Sequence, residues 1–510
     1  MASIFNKSIQ SIFSSRFKKF EHFSKYPEEQ QLLVLKHLLH TARKTEWGRK
    51  YDFRKIKTPQ EFAEKVPVTD YEVLKSWIER MISGEKNILW PGTVKWFAKS
   101  SGTTNDKSKF IPISDESLYK THYKSTVDVF ATYIRNYPDS NFLTGKNLTI
   151  GGSHRVSNLN KNSRTGDLSA VLLHNLPFLS KIKNTPPSEI SLIPDFEEKI
   201  EKIVQSTIHE NITSMAGVPS WFLVLIKRVL EVTGKDNLLE VWPNLEVFAH
   251  GGINFEPYRE QYEKLIPNPK MCYMNTYNAS EGFFAIQNEP SKDDMLLMLD
   301  SGIYYEFIAM NEFHNDDRKV IPIGEVEIGV NYAMVISTNG GLWRYIIGDT
   351  VMFTSKYPHK IKITGRTRHF INAFGEELII DNAENGINVA CKATGAVIND
   401  YTAGPVFMDS THKGAHQWII EFEKEPESLA EFATILDKEL QSLNSDYEAK
   451  RFKNMALCEL QIVNAPKGTF YEWMKVRGKV GGQNKIPRLA NNREYLDSIL
   501  EVIDEIEAKI

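Results

Sequence analysis

Cysteine is scarce in this chain: Cys272, Cys391 and Cys458 are the only three in 510 residues. They lie far apart and form no C-x-x-C or Cys/His spacing, so neither a disulfide framework nor a zinc site is signalled. An odd, small number also points to a reducing compartment, with the cytoplasm as the default expectation. Long apolar runs are missing as well. No uncharged stretch approaches the roughly 20 residues that a membrane helix needs, so no membrane partner is expected. Neither sign of charge prevails, because 62 Lys and Arg stand against 65 Asp and Glu, for a net charge of −3. No overall basic field therefore calls for nucleic acid or an anionic membrane. Internal repeats and low-complexity tracts are absent. So are the Walker loop, with its terminal Gly-Lys-Ser/Thr, and the G-x-S-x-G nucleophile elbow. The His250-Gly251-Gly252 turn could serve a hydrolase as an oxyanion hole, but without that elbow the reading falls away.

What is present is an ordinary globular composition, 41% hydrophobic and 25% charged, on a chain long enough for a large core and two or more domains. Near the start, Ile4, Phe5, Ile9, Ile12, Phe13 and Phe17 recur at helical spacing with Lys7, Arg16, Lys18 and Lys19 among them. A transit peptide or a surface-binding helix has this pattern, but a docked amphipathic first helix is the favoured reading. Glu28 to Tyr51 continues helical through Leu32, Leu33, Leu35, Leu38 and Leu39. Asp70 is placed to cap a helix whose stripe is Val73, Leu74, Trp77, Ile78, Met81 and Ile82, with Gly84 as its stop. From Glu116 another helix carries Leu118, Tyr119, Tyr123, Val127, Val129 and Phe130. Short apolar runs alternate with helices to about residue 360, which argues for an α/β body with its site on strand-end loops. Glu325–Ile328 and Ala333–Ser337 predict antiparallel strands of a smaller sheet. Beyond them, Gln417–Phe422 predicts a strand, and Leu429–Leu443 and Tyr495–Ile506 predict helices.

The most informative stretch is Lys99 to Lys109, Lys-Ser-Ser-Gly-Thr-Thr-Asn-Asp-Lys-Ser-Lys. Trp96-Phe97-Ala98 enters it and Ile111-Pro112-Ile113 leaves it as apolar runs. Between them Ser100, Ser101, Thr103 and Thr104 offer hydroxyls, and Gly102 lets the backbone approach a ligand that a Cβ would hold off. Such a loop suits an anion, with a nucleoside triphosphate as the favoured ligand. A solvated Ser/Thr/Lys loop is the competing reading.

Ser100 to Thr103 followed by Lys109 resembles the phosphate loop of adenylate-forming enzymes. Within them it resembles the acyl acid–amido synthetases of the auxin-responsive Gretchen Hagen family, whose loop reads Ser-Ser-Gly-Thr-Ser-x-Gly-x-x-Lys. Here Thr104 replaces a Ser and Asp106 replaces the second Gly. Four further stretches match in order. Tyr273 to Phe284 is similar to the family's Tyr-x-Ser-Ser-Glu, with Tyr277, Ser280 and Glu281 in place and Ala279 for the first Ser. Tyr277 would offer a flat face to adenine, Ser280 a donor to an α-phosphate oxygen, and Glu281 a hard oxygen ligand for Mg²⁺. Leu342 to Thr350 resembles Tyr-Arg-x-Gly-Asp through Tyr345, Gly348 and Asp349, with Ile346 at the Arg position and Arg344 close by. Asp349 would accept from both ribose hydroxyls. Ile363 to Leu378 resembles the Gly-Arg…Gly-Glu segment that joins two domains. Arg366 would lie over ribose and phosphates, and Arg368 or His369 near a pivot bracketed by Gly365 and Gly375. Gln483 to Arg488 resembles the segment whose lysine enters the site during adenylation, a position that Lys485 takes.

The resemblance implies a fold: a large N-terminal α/β domain of the adenylate-forming, firefly-luciferase-like type with a small α+β C-terminal domain. Expected boundaries are 1–363, a hinge at 364–370, and 371–510. It also implies an ATP- and Mg²⁺-dependent ligase that adenylates a small carboxylic acid and passes the acyl group to an amino acid. Arg366 and Lys485 are the expected catalytic residues. Ser100, Ser101, Gly102, Thr103, Thr104, Lys109, Tyr277, Ser280, Glu281, Asp349 and Arg366 are the expected nucleotide-binding residues, with Glu281 as metal ligand. Tyr119, His122 and Tyr123 sit on the helix that lines the acyl pocket in the family, although aromatic residues at helical spacing are more often core. A monomer or simple homo-oligomer is expected. Two other readings stay open: an acyl-CoA synthetase sharing the adenylation step, and a catalytically idle acyl or nucleotide sensor. The second is motivated by Asp106, Ala279 and Ile346.

Overall fold

The computed structural model describes residues 2–101, 108–151, 156–193, 195–253, 255–313, 315–367, 370–408, 413–452, 457–477 and 487–508. Its frame is a sheet of twelve strands that changes character halfway across. From the edge strand Ile321–Pro322 the order runs through Ile303–Ala309, Asn331–Thr338, Tyr345–Lys356, His359–Arg366, Met295–Leu297 and Gly282–Ile286 to Cys272–Ala279, every pair antiparallel. Beyond Cys272–Ala279 the strands Val247–Gly251, Ile212–Gly217, Lys146–Thr149 and Asn184–Thr185 continue it in parallel. Of these parallel strands, Val247–Gly251 and Ile212–Gly217 are buried along most of their length, as strands covered on both faces are. Ala333–Ser337 thus belongs to this sheet and not to a smaller one. Glu325–Ile328 is not a strand: a 3₁₀ turn, Ile323–Glu325, precedes it, and only an isolated bridge ties Ile328 to Phe353.

The first helix, Ala2–Lys25, docks as expected. Phe20 and Phe23 enter the core, and Arg16 bridges Asp128 at 2.6 Å and also pairs with Asp300. The second helix ends at Ala42, earlier than its apolar pattern suggests. Thr45 breaks it by capping a new short helix, Glu46–Lys50, at the amide of Gly48. Asp70 caps Tyr71–Ile82 through the Val73 amide, and Gly84 ends the segment at φ +98°. Val73 faces solvent while Leu74, Ile78 and Met81 are buried. The helix after the Lys99–Lys109 stretch carries a π-turn over Leu118–Tyr123 before Lys124–Asn136 continues it.

The last part of the chain builds a three-stranded sheet, Val397–Val406, Ala415–Lys424 and Gln461–Ala465, packed by the helices Ile380–Thr394, Leu429–Leu443 and Glu494–Glu507. It is a smaller sheet domain on a large mixed helix/sheet one. One buried cluster spans both, joining Leu148, Phe222, Phe248 and Tyr258 to Phe374, Trp418, Leu436 and Tyr447. Hydrogen bonds stitch the same seam: the Tyr258 hydroxyl donates to Ala373 O at 2.7 Å and Asn372 Nδ2 donates to Gly252 O at 3.1 Å.

Inside the large domain, Arg344 and Glu306 form a bidentate pair at 2.9 Å on both arms, each side chain about nineteen-twentieths buried. Arg344 also donates to the carbonyls of Ala63 and Val66, so four of its five N–H donors are met. Burial pushes the Glu306 carboxyl up and the guanidinium holds it down. Arg344→Met strands that carboxylate and should cost about 3–5 kcal/mol in urea unfolding. Adding Glu306→Leu should recover most of the loss. A double variant no more stable than the single one would show that the pair is not the cause.

Candidate active site

A cavity of about 700 Å³ opens where the parallel strands end, at the position where open α/β sheets place ligands. Trp96–Ser101 and Ser108–Ile113 pair as an antiparallel hairpin, with Ser100 opposite Lys109 and Ser101 opposite Ser108. That register carries Lys99, Ser100 and Lys109 to the cavity wall. The Lys109 ammonium lies 5.7 Å from the centroid of the Tyr71 ring, whose hydroxyl accepts from the Phe110 amide. Gly102, Thr103 and Thr104 lie outside the described residues, as does the Ser101 side chain.

The strand where pairing changes supplies the second wall. Cys272–Ala279 turns into Gly282–Ile286 with Ala279 opposite Gly282, leaving Ser280 and Glu281 as the turn. Both line the cavity. The Tyr277 ring is buried against Phe284 at 4.8 Å, and its hydroxyl donates to Asp349 Oδ2 at 2.7 Å. The Glu281 carboxyl is pushed up to about 7, first by burial, with Lys109 opposing and Asp349 and Glu377 adding to the shift.

Asp349 joins three segments. It accepts from Tyr277 and, at 2.9 Å, from Arg366 Nε, and Arg366 Nη2 reaches Glu377 Oε1 at 3.2 Å. Strand register sets this up, because Asp349 pairs directly with Arg366 across the antiparallel ladder. Burial opposes the guanidinium's charge, but Glu377 and Asp349 outweigh it, so Arg366 stays cationic. Arg344 does not stand in for the Arg missing at Ile346. It points away from the cavity into its pair with Glu306.

Tyr119, His122 and Tyr123 are not brought to the cavity. Tyr119 is about half exposed, and the Tyr123 hydroxyl donates to Leu172 O at 2.6 Å. His122 is buried, with neither ring nitrogen bonded among the described residues, and is pushed down to about 4 by that burial. All three lie on the π-turn, and helical spacing alone gives no sign of it. His250 does line the cavity, but its ring is stacked on Phe255 at 4.2 Å and held neutral by burial. Arg368, His369 and Lys485 lie outside the described residues. Asp167, Trp221, Glu377 and Lys450 line the cavity without having been expected there. Glu377 lay within a recognised motif, but the other three carry no local sequence signal.

Among the described residues no three His, Cys, Asp or Glu side chains converge as a metal cage. Glu281 on the cavity wall still suits Mg²⁺, which takes one or two carboxylates beside phosphate oxygens and water. No helix is long and apolar enough to cross a membrane, among the described residues.

A large mixed-sheet body, a cavity at its parallel strand ends and a smaller sheet domain against it together define the fold of adenylate-forming ligases. Sequence comparison matches the GH3 family N-terminal domain over residues 16–271, the central domain over 296–366 and the C-terminal domain over 381–494. The chain belongs to the GH3 family. It is similar to the indole-3-acetic acid-amido synthetase GH3.3 of Arabidopsis thaliana, 22% identical over 93% of this chain and 90% of that protein. It is also similar to the jasmonoyl–L-amino acid synthetase JAR6 of Nicotiana attenuata, 24% identical over 95% and 94%. Among solved structures, the acyl acid amido synthetase GH3.15 in complex with 2,4-DB superposes with a TM-score of 0.60, at 18% identity over 96% of this chain and 95% of that one.

The Glu281 environment has a measurable signature. The folded carboxyl ionises near 7 and the unfolded one near 4.5, so between those values the folded chain holds the extra proton. Stability therefore falls as pH rises through that window. Glu281→Gln should match wild type at pH 4 and exceed it at pH 8 by on the order of 3 kcal/mol in urea unfolding. A difference that does not change with pH would place the carboxyl in a different environment.

Proposed function

We propose that this chain is an ATP- and Mg²⁺-dependent acyl acid–amido synthetase of the cytoplasm. The carrying observation is that Ser100, Lys109, Ser280, Glu281, Asp349 and Arg366, drawn from four separate motifs, line one cavity. Family membership and relatives named as amido synthetases support the same reading. The carboxylate of a small acid attacks the α-phosphorus of ATP, and pyrophosphate leaves. The amine of an amino acid then attacks the acyl carbon, the bond to AMP breaks, and the amine loses a proton. Arg366 and Lys109 bring positive charge to the phosphates, where fixed charge in a closed site is most effective. Asp349 holds Arg366 in place and accepts from the ribose. Glu281 would hold Mg²⁺, which neutralises polyphosphate charge when bound. The boundary between the moving parts is placed at 364–370, and Lys485 is assigned to the first half-reaction.

Acid-dependent pyrophosphate release across a panel of carboxylic acids, followed by mass-spectrometric search for amides with the standard amino acids, tests the proposal. An acyl-CoA product with no amide from any amino acid would overturn it. Asp349→Ala should weaken ATP binding by about 1.5–3 kcal/mol, the scale of a hydrogen bond to a charged group. Unchanged ATP affinity would remove Asp349 from the site. Lys485→Ala should slow pyrophosphate release by on the order of a hundredfold while amide formation from synthetic acyl-AMP stays near wild type. Equal losses in both assays would point to general damage instead.

A further inference from the structure

Lys450 is a cavity charge that adenylation leaves without a task. Lys450 lines the cavity yet is only 5% exposed. Its ammonium lies 4.1 Å from the centroid of the Trp221 ring and meets no hydrogen-bond or ion-pair partner among the described residues. A buried ammonium is costly unless something compensates it, and a single aromatic face does so only in part.

The position is built, not accidental. Lys450 sits on the short helix Ser445–Arg451, fastened on both flanks. At its start the Asn444 side chain accepts from the amides of Asp446 and Tyr447 and donates to Glu377 O at 3.0 Å. At its end Arg451 grips both oxygens of Asp437 at 2.7 Å, and the Tyr447 hydroxyl donates to the same carboxylate. The lysine stem passes beneath Gly375, where φ is +88° and an added Cβ would lie 3.3 Å from Lys450 Cε. Asp446, Asp167, Glu376 and Glu377 surround the ammonium at longer range.

The surroundings select the ligand. Several carboxylates around one cation repel a polyphosphate but tolerate an anionic group carried next to a cationic one. An α-amino acid is such a molecule, with its carboxylate one carbon away from its amine. We propose that Lys450 anchors the acceptor amino acid by its α-carboxylate, with the Trp221 ring beside the bound ammonium–carboxylate pair. The inference rests on the proposed function and adds the acceptor subsite to it. Lys450 takes no part in bond making: it positions the amine that attacks.

The test uses the full chain with an acid that supports pyrophosphate release, and compares amide formation from each standard amino acid with that from its carboxamide. Wild type should prefer the free acid. Lys450→Met should raise KM for the amino acid about tenfold or more and erase the preference over the carboxamide, the mark of a lost binding contact. Acid-dependent exchange of pyrophosphate into ATP should change less than about threefold. Thermal stability should hold or rise, since an uncompensated buried charge is removed. An unchanged KM with the preference intact overturns the proposal. So does a lowered melting temperature with parallel loss in both assays, which would make the lysine structural. Amide formation by wild type with an unaffected variant sinks this inference alone. No amide from wild type would remove the proposed function and this inference together.

Discussion

The carboxylate of Asp349 is the constraint on which the candidate site depends. Three segments meet there: the strand of Tyr277, the strand of Arg366 and, through Arg366, the turn that carries Glu377. Each contact has a backbone cause. Antiparallel register puts Asp349 opposite Arg366, and the two-residue turn at Ser280–Glu281 brings the neighbouring hairpin to the same end of the sheet. A hydrogen-bonded ionic network in a closed site is worth more than its members taken singly, because each charge is fixed by the others. The network therefore fixes the floor of the cavity before any ligand arrives.

Local signals carried most of the fold. The Asp70 cap, the Gly84 stop, the alternating strand Ala415–Lys424 and the helices Leu429–Leu443 and Glu494–Glu507 follow from spacing and turn chemistry that neighbouring residues supply. What sequence missed is non-local or depends on a small distortion. The segment Leu118–Tyr123 is a π-turn, which α-helical spacing does not signal, and Tyr119, His122 and Tyr123 on it are not on the cavity lining. Asn331–Thr338 has the alternation of a strand, but which sheet it joins is decided by pairing with strands elsewhere in the chain. The same limit applies to the site. Ordered motifs found Glu281, Asp349 and Arg366, whereas Trp221 and Lys450 become neighbours only when two distant parts of the chain pack together.

Buried charge divides into two kinds in this molecule. Arg344 with Glu306, Arg451 with Asp437 and Arg16 with Asp128 and Asp300 are closed sets, with donors and acceptors matched inside the protein. Arg344 lies close in sequence to Asp349, yet its direction makes it structural. Lys450 is different, because it sits on the cavity wall with no close counter-ion beside it among the described residues. Uncompensated burial is a cost that packing alone does not repay. Its position at the cavity is what separates a group placed for a ligand from groups placed for the fold.

That cost also bears on how the two domains sit together. The Lys450–Trp221 contact crosses from the small domain to the large one, along a seam that already shares a buried cluster and the Tyr258–Ala373 and Asn372–Gly252 hydrogen bonds. Apolar burial and those bonds favour the docked arrangement. The lysine opposes it, since parting the domains would return the ammonium to water. Any anion that meets Lys450 in the docked form removes the opposing term, and so shifts the balance toward docking by its own differential affinity. The closed seam and an occupied cavity are thereby coupled through one side chain, with Gly375 beside it as the position that lets the stem through.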